Sequence, residues 1–269
     1  MGVSNLSQNY FYLDRFIFNT LNNTSTKMST TATFVLVHGS CHGGWCWQKV
    51  TPLLRKQGHE VYTPTLTGLG ERSHLLRKDI DLDTHIQDII QVFEYEDLNE
   101  VILVGHSYGG MVIGGAAEKI TQRIKRLVYL DAYIPQDGKS AFDLIPGLKE
   151  IYEQRSMKEQ GKEWLVSSYE PQDFGVTNPD DIAWMNARLG PMPWHTHDQP
   201  LKIQNTQSKK LAKSYISCTD FGDSQFMAQR IKSQGGWDYH ELKKGHDAMI
   251  TVPSELVQML LEISWKQQQ

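Results

Sequence analysis

The 269-residue sequence predicts an α/β protein, built on a mostly parallel sheet with helices on both faces and an inserted helical segment. Short apolar runs typical of buried strands alternate with helical patterns on either side of one long interruption. That interruption, residues 132–210, has mixed helical signals and a proline-rich exit, but no run typical of a strand of the main sheet. A G-x-S-x-G motif at 105–109 lies between a predicted strand and a predicted helix, which is the context of a nucleophile turn.

The elements before the interruption alternate between strand and helix. In order, they are predicted as a strand at 33–38, a helix at 47–57, a strand at 60–63, a helix at 83–95, a strand at 101–104, a helix at 110–117 and a strand at 124–130. The strands are short runs of apolar and β-branched residues that end at glycine, proline or a polar residue. The helix at 83–95 has apolar residues at helical spacing from Ile86 to Phe93, and we expect Asp83 to cap its start.

The same alternation returns after the interruption. The predicted elements there are a strand at 213–218, a helix at 222–234, a strand at 237–242 and a helix at 253–265. An interruption as long as 132–210 exceeds an ordinary loop, so we expect it to form a helical cap on a core made of 29–131 and 211–269. Residues 1–28 are rich in Asn, Ser and Thr, and we expect a flexible extension there, with Met28 as an alternative start.

The composition is that of an ordinary globular protein, with 39% hydrophobic and 22% charged residues. The net charge of −4 and the lack of a basic stripe argue against nucleic acid as a partner, and no apolar run reaches the length of a membrane span. Cys41, Cys46 and Cys218 follow neither a disulfide nor a zinc pattern, which favours the cytoplasm. We expect a small-molecule ester as the partner, without a metal or organic cofactor; a homodimer is left open.

Ser107 is the predicted nucleophile. It lies in Gly105–Gly109, directly after the apolar run 101–104 and before a helix of small residues. In that context the motif is a nucleophile elbow, in which a serine has strained backbone angles and the flanking glycines leave room for the turn. The hydroxyl is then held beside a helix N-terminus, whose free N–H groups favour developing negative charge.

A serine hydroxyl is a weak nucleophile until a base removes its proton. His246 fits this role because it follows the last predicted strand and comes after the nucleophile in the chain. Two aspartates compete for the acid that orients it. Asp131 ends the strand after the nucleophile helix, whereas Asp220 follows the strand after the interruption, and Asp223 is a weaker third candidate. We favour Asp131 over Asp220.

The oxyanion hole requires two backbone N–H donors, each worth about 3 kcal/mol in related chemistry. Tyr108 follows the nucleophile and should supply one donor. Ser40, in the turn after the first strand, should supply the other.

The remaining histidines near these motifs have other expected roles. His38 and His106 lie in motifs that shape the backbone, so structural hydrogen bonds are expected of them. His195 and His197 form an H-x-H pair, but no third ligand follows at a familiar spacing. We therefore expect substrate lining or surface positions for this pair rather than a metal. Four large side chains of the predicted cap are expected to line an apolar substrate pocket: Trp164, Trp184, Met192 and Trp194.

Residues 33–265 resemble plant methylesterases and hydroxynitrile lyases of the α/β-hydrolase superfamily. The resemblance is carried by FVLVHGSCHGGWCW at 34–47 and VILVGHSYGGM at 101–111. The stretches at 62–74 and 245–249 look more like bacterial esterase-like members. The resemblance implies an α/β-hydrolase fold, with Ser107 and His246 in a catalytic triad and Ser40 and Tyr108 as the oxyanion pair.

Two departures from the family pattern bear on function. Hydroxynitrile lyases of this type carry a lysine where this chain has Asp247, and an anion there would oppose the formation of cyanide. The methylesterase acid usually follows the strand after the cap, yet 219–223 does not align cleanly with it. Asp131 lies 24 residues after Ser107, a spacing that resembles haloalkane dehalogenases.

The sequence therefore predicts a serine carboxylesterase that cleaves a small apolar or aromatic ester through a Ser-His-Asp triad and an acyl-enzyme. Two alternatives stay open at this point. One is a lyase, or a hydrolase of C–C bonds, lactones or amides, on the same fold. The other is a non-catalytic receptor for a small ligand.

Overall fold

The computed structural model describes residues 31–221 and 225–266. The extension predicted at 1–28 lies outside the described residues. The strands are β1 (Thr33–Val37), β2 (Glu60–Tyr62), β3 (Val101–His106), β4 (Ile124–Leu130), β5 (Leu165–Val166), β6 (Met192–Pro193), β7 (Ala212–Cys218) and β8 (Asp238–Leu242). The α-helices are α1 (Thr51–Lys56), α2 (Leu82–Tyr95), α3 (Gly109–Ile120), α4 (Ala141–Leu144), α5 (Leu148–Arg155), α6 (Pro179–Asn186), α7 (His195–Asp198), α8 (Gln225–Gln234), α9 (Ala248–Thr251) and α10 (Pro253–Trp265).

Six strands form one sheet in the order β2-β1-β3-β4-β7-β8, and every pairing in it is parallel. Successive residues of a strand point to opposite faces of the sheet. When both faces are covered by helices, the sequence of each strand is therefore a continuous run of apolar residues. In β1, Val35 and Val37 pack into the core under α2 and α3, whereas Phe34 and Leu36 pack into the core under α1 and α10. The predicted α/β fold with a mostly parallel sheet is confirmed.

Two helix starts differ from their predictions. The cap of α2 is Asp81, whose carboxylate accepts the Thr84 N–H at 2.8 Å, so the prediction of Asp83 was wrong by two residues. The predicted helix at 47–57 is divided into a 3₁₀ turn at Gly44–Trp47 and α1. Pro52, in the first turn of α1, has no N–H to donate and a fixed φ, which suits a helix start rather than a helix interior.

The segment between Asp131 and β7, called here the β4–β7 insertion (132–211), contains α4 to α7 and the strands β5 and β6. β5 and β6 pair with each other in an antiparallel ribbon and, among the described residues, with no strand of the main sheet. The helical signals at 142–160 correspond to two helices, separated where Gly147 adopts φ +78°. Of the helices in the described ranges, none is both long and apolar enough to cross a bilayer.

The topology brings several loops to one edge of the sheet. Because parallel strands end at the same edge, the segments that follow β1, β3, β4, β7 and β8 all emerge there. Those segments carry Ser40, Ser107, Asp131, Asp220 and His246.

Candidate active site

Ser107 occupies a tight turn between β3 and α3. Its φ of +53° lies in the left-handed region, which a residue with a side chain rarely adopts. Its N–H donates to the Leu130 carbonyl at 3.2 Å, which ties the turn to the end of β4. A Cβ added at Gly105 would lie 2.6 Å from the Gly109 carbonyl oxygen, and one at Gly109 would lie 2.8 Å from the His38 carbonyl oxygen. The glycines are therefore required by close backbone approach, as the elbow motif predicts.

His246 and Asp131 form a buried pair. Nδ1 of His246 donates to Oδ2 of Asp131 at 2.6 Å, and the aspartate side chain is fully buried. The other carboxylate oxygen accepts the Cys218 N–H at 3.1 Å. Asp131 itself adopts φ +45°, and its N–H donates to the Ile216 carbonyl at 2.7 Å. The end of β4 thus turns sharply, and both carboxylate oxygens have a donor.

The competing aspartates are placed differently. Asp220 is exposed, and its N–H donates to the Lys244 carbonyl at 3.2 Å. Asp223 lies outside the described residues. Of the candidate acids within the described residues, Asp131 is the one that forms a hydrogen bond with the His246 ring.

The position of His246 is supported from two sides. His106 Nε2 donates to the His246 carbonyl at 3.1 Å, and burial lowers the pKa of His106 well below its ordinary value, so this donor is a neutral imidazole. The Phe221 ring stacks on the His246 ring with centroids 4.6 Å apart. Because Nδ1 bonds to Asp131, Nε2 is the nitrogen that can accept a proton from Ser107, which lines the same cavity.

Of the two expected oxyanion donors, Tyr108 directly follows Ser107 in the chain, and Ser40 lines the same cavity as Ser107. Within the described ranges, the N–H groups of Ser40 and Tyr108 donate to no protein acceptor. An unused N–H at a tight turn beside a nucleophile can stabilise a developing oxyanion.

His42 holds the Ser40 turn in place. Its Nδ1 donates to the Ser40 carbonyl at 2.7 Å, and its Nε2 lies 3.1 Å from Oδ2 of Asp247. Asp247 is fully buried and, unlike His42, is not among the residues that line the catalytic cavity described below. The anion that the sequence places beside the site therefore lies outside the cavity wall, where its carboxylate bonds to His42. Sequence reasoning missed His42, although it stands in the stretch that carries the family resemblance.

His197 holds the same turn from the β4–β7 insertion. Thr196 Oγ1 donates its only proton to the Pro193 carbonyl at 2.6 Å, so it accepts from His197 Nδ1–H at 2.8 Å. Nε2 of His197 therefore carries a lone pair, and it lies 3.0 Å from Ser40 Oγ and 2.8 Å from the Tyr152 hydroxyl. Burial lowers the pKa of His197 to about 3, which keeps this acceptor neutral.

The ring of His197 also stacks on Tyr108, with centroids 4.5 Å apart and an angle of 19° between the planes. The hydroxyl of Tyr108 in turn lies 3.0 Å from Nδ1 of His85. One histidine of the insertion thus contacts both residues expected to supply the oxyanion donors. The expectation that His197 lines the substrate pocket or the surface was wrong, because the side chain is fully buried and is not part of the cavity wall.

A cavity of about 540 Å³ opens over Ser107. Most of its wall is aromatic or aliphatic, and Arg155 is the only arginine or lysine among its described lining residues. The wall residues contributed by the β4–β7 insertion are Ala132, Tyr133, Ile145, Pro146, Leu148, Ile151, Tyr152, Arg155, Tyr169, Asp173 and Phe174. The core contributes Ser40, His42, His106, Tyr215, Phe221, Phe226, Met227 and His246, together with Ser107 and Asp131.

The four cap residues expected to line this cavity do not line it. Trp164 and Trp194 line a separate open depression on the surface, together with His195. Trp184 packs edge-on against Trp45, with ring centroids 5.1 Å apart, and Met192 is buried in the core. Large apolar residues pack in many places within an irregular insertion, and no periodic pattern in the sequence shows which of them face the cavity.

The H-x-H pair does not form a metal site in the described ranges. His195 is exposed and bonds to Asp198 at 3.1 Å, whereas His197 is used by Ser40, Tyr152 and Thr196. In the part of the chain that the structure describes, no three histidine, cysteine, aspartate or glutamate side chains are grouped as metal ligands.

The chain is similar to known proteins in both sequence and structure. Residues 34–259 match the model of the Alpha/beta hydrolase family. The chain is 38% identical over 239 residues to the carbendazim hydrolyzing esterase of Nocardioides sp., with 85% of this chain and 98% of that protein covered. It is 30% identical over 259 residues to salicylic acid-binding protein 2 of Nicotiana tabacum, with 87% and 97% covered. An extracellular alpha/beta-hydrolase from a Paenibacillus species superposes with a TM-score of 0.77 at 26% identity, over 87% of this chain and 100% of that chain.

Proposed function

This chain belongs to the alpha/beta hydrolase family and is a carboxylic ester hydrolase, and we propose that Ser107, His246 and Asp131 are its catalytic triad. The resemblance to methylesterases and bacterial esterases is confirmed by these relatives. The single observation that carries the assignment is the 2.6 Å hydrogen bond between His246 and the buried Asp131, beside a serine at φ +53°.

In acylation, the Ser107 hydroxyl oxygen attacks the ester carbonyl while His246 Nε2 accepts the hydroxyl proton. Asp131 keeps the other proton on Nδ1, which fixes the tautomer and stabilises the imidazolium that forms. The N–H groups of Ser40 and Tyr108 bind the oxygen that becomes negative in the tetrahedral intermediate. The intermediate then expels the alcohol, which takes the proton from His246, and an acyl-Ser107 ester remains.

In deacylation, water replaces the alcohol. His246 Nε2 removes a proton from the water as its oxygen attacks the acyl carbonyl, and the same proton returns to Ser107 when the acid leaves. The sum of the two steps is ester plus water giving acid plus alcohol. Every proton transfer in this scheme uses the one histidine, and no cofactor enters it.

We propose that the β4–β7 insertion is the cap that selects the substrate. This proposal is supported by the cavity wall, because many of its apolar residues, including Tyr152 and Phe174, belong to the insertion. A cavity of about 540 Å³ with such a wall suits a small apolar or aromatic ester. One relative is named for the hydrolysis of carbendazim, which makes that compound a direct candidate for screening.

We also propose a cytoplasmic location. The support is that Cys41 and Cys46 are both buried free thiols, a state typical of proteins in a reducing compartment. Cell fractionation of the host tests this proposal, and activity recovered in the secreted fraction would overturn it.

The test of the catalytic proposal is a burst of nitrophenolate from 4-nitrophenyl acetate, together with fluorophosphonate labelling mapped to a peptide. We expect a burst of about one equivalent, a label on Ser107, and loss of both in Ser107→Ala. Ser233→Ala, at an exposed serine of α8, is the matched control and should retain both. Full turnover by Ser107→Ala would overturn the proposal, and tight ligand binding without any labelling would indicate a receptor instead.

A further inference from the structure

Arg155, the last residue of α5, is a cation in the wall of the catalytic cavity. One of its terminal nitrogens donates to the Ser168 carbonyl, and the guanidinium lies 4.3 Å from the centroid of the Tyr169 ring. Its Nε is buried and donates to no acceptor in the described parts of the chain. Within the same ranges, none of the ion pairs involves Arg155.

The contacts of Arg155 leave most of its binding capacity unused. A guanidinium presents five N–H donors in a planar fork that matches oxygen acceptors, and among the described contacts only one of these donors bonds to a protein oxygen. A buried polar atom without a partner is costly, and Arg155 Nε is such an atom in a side chain that is half-buried as a whole. Asp173 also lines the cavity, but its carboxylate accepts the Glu170 N–H at 3.0 Å and does not pair with Arg155.

Several largely apolar side chains share the cavity wall with Arg155. They include Ile151, Tyr152 and Tyr169, and Tyr152 bonds to His197. An acceptor oxygen on a bound molecule would meet the guanidinium in a half-buried site, where a charge-assisted hydrogen bond is stronger than in bulk water. The apolar wall would contact the remainder of that molecule.

We propose that Arg155 determines substrate specificity by binding an acceptor oxygen, of a carboxylate or a carbonyl, remote from the ester that Ser107 attacks. The preferred substrates are therefore small bifunctional esters: an aromatic or aliphatic frame with the scissile ester at one end and an acceptor group at the other. This proposal rests on the proposed esterase function. It adds a substrate class to that function and gives Arg155 a role in binding, not in chemistry.

The experiment compares three methyl esters on one aromatic frame. Methyl benzoate has no second acceptor, methyl 4-acetylbenzoate has a neutral carbonyl, and monomethyl terephthalate has a carboxylate. For each, kcat/KM is measured with the wild type, Arg155→Met and Arg155→Lys. Arg188→Met is the matched control, because Arg188 lies in the same insertion but packs on Trp184 and does not line the cavity.

We expect the wild type to prefer at least one acceptor-bearing ester over methyl benzoate. Arg155→Met should reduce that preference about 10- to 100-fold, which corresponds to the 1.5–3 kcal/mol typical of a hydrogen bond to a charged group. Arg155→Lys should retain part of the preference, and Arg188→Met all of it. If Arg155→Met loses the preference for monomethyl terephthalate alone, the group that Arg155 binds is a carboxylate. If the preference for methyl 4-acetylbenzoate is lost as well, Arg155 also binds a neutral carbonyl.

Two results would overturn this proposal while leaving the esterase function intact. One is a wild type that cleaves nitrophenyl acetate but favours methyl benzoate over both acceptor-bearing esters. The other is an Arg155→Met variant in which the three esters lose activity by the same factor, or lose none. If Arg155→Met does not fold, the preference for acceptor-bearing esters is compared between Arg155→Lys and the wild type. An unchanged preference in Arg155→Lys would then overturn the proposal. Failure of the esterase function is a different result, namely no nitrophenolate burst and no label on Ser107.

Discussion

The hydroxyl of Ser40 lies 3.0 Å from Nε2 of His197, so the β4–β7 insertion holds a residue of the proposed oxyanion hole directly. The same imidazole stacks on Tyr108, the other proposed donor residue. The tautomer of His197 follows from the threonine that precedes it, and the ring is fully buried. The insertion therefore contributes to the alignment of the N–H donors as well as to the cavity wall.

His197→Phe should lower kcat more than it changes KM. The phenyl ring keeps the stack on Tyr108 but leaves Ser40 without its acceptor, so the Ser40 turn loses alignment. We expect kcat to fall about 10-fold, because an oxyanion donor acts mainly in the transition state. The affinity for a boronic acid transition-state analogue should fall by the same factor as kcat/KM. A rise in KM at constant kcat would show that His197 shapes the pocket instead.

His197→Gln and His195→Phe are the two controls for that prediction. Glutamine offers an acceptor oxygen to the Ser40 hydroxyl, so it should recover part of kcat. His195 is exposed and bonds only to Asp198 among the described contacts, so its replacement should leave both constants within twofold of wild type.

Asp131→Asn should reduce kcat by about 10³- to 10⁴-fold, the scale seen when a triad aspartate is amidated. The amide no longer holds the Nδ1 proton of His246 as a carboxylate does, so the wrong tautomer or ring position results. Asp220→Asn is the matched control, since Asp220 is exposed and lies two residues after the neighbouring strand β7. We expect it to retain wild-type kcat on 4-nitrophenyl acetate. An equal loss in the two variants would contradict the choice of Asp131.

The free energy of unfolding should fall as the pH is lowered from 7 to 5. Burial lowers the pKa of His38 and of His197 to about 3, against 6.5 for an ordinary histidine. Below pH 6.5 the unfolded chain binds protons that the folded chain does not bind, so acid favours unfolding. Each of these histidines should lower the free energy of unfolding by about 2 kcal/mol at pH 5. This follows from about 1.4 kcal/mol for each pH unit below the ordinary pKa of 6.5.

Urea titrations at pH 7 and pH 5 measure that effect. His197→Phe should reduce the difference between the two pH values by about 2 kcal/mol, whereas Ser233→Ala, which removes no titratable group, should leave it unchanged. A wild-type stability that is the same at both pH values would contradict the buried, neutral state of these histidines.

Gly110→Ala should destabilise the protein, although alanine is the better helix former by about 1 kcal/mol. A Cβ at Gly110 would lie 2.1 Å from the Tyr133 carbonyl oxygen, so α3 or the segment after β4 must move. We expect a net loss of about 1–3 kcal/mol in the free energy of unfolding. Gly190→Ala is the control, because nothing lies within 4 Å of a Cβ there. Equal unfolding midpoints for both variants would show that α3 adapts at no cost.

Local patterns in the sequence predicted much of the core. The elbow could be found because its strand, glycines, serine and helix are consecutive, and the terminal helix was predicted at its observed bounds, Pro253–Trp265. The cap of α2 was missed by two residues, because Asp81 and Asp83 both suit a helix start. Only the observed bond to the Thr84 N–H distinguishes them.

By itself, the sequence determined the α/β class, the position of Ser107 on its turn and the histidine that follows the last strand, since each depends on neighbours along the chain. It left three aspartates as candidates for the acid, with Asp131 favoured, and the tertiary structure places Asp131 at 2.6 Å from His246. That distance depends on how β4 lies beside β7 and on a positive φ at Asp131, and neither is encoded in a local pattern. His42, Arg155 and His197 likewise acquire their roles from residues far away in the chain, because burial and hydrogen bonding are decided where distant segments pack together.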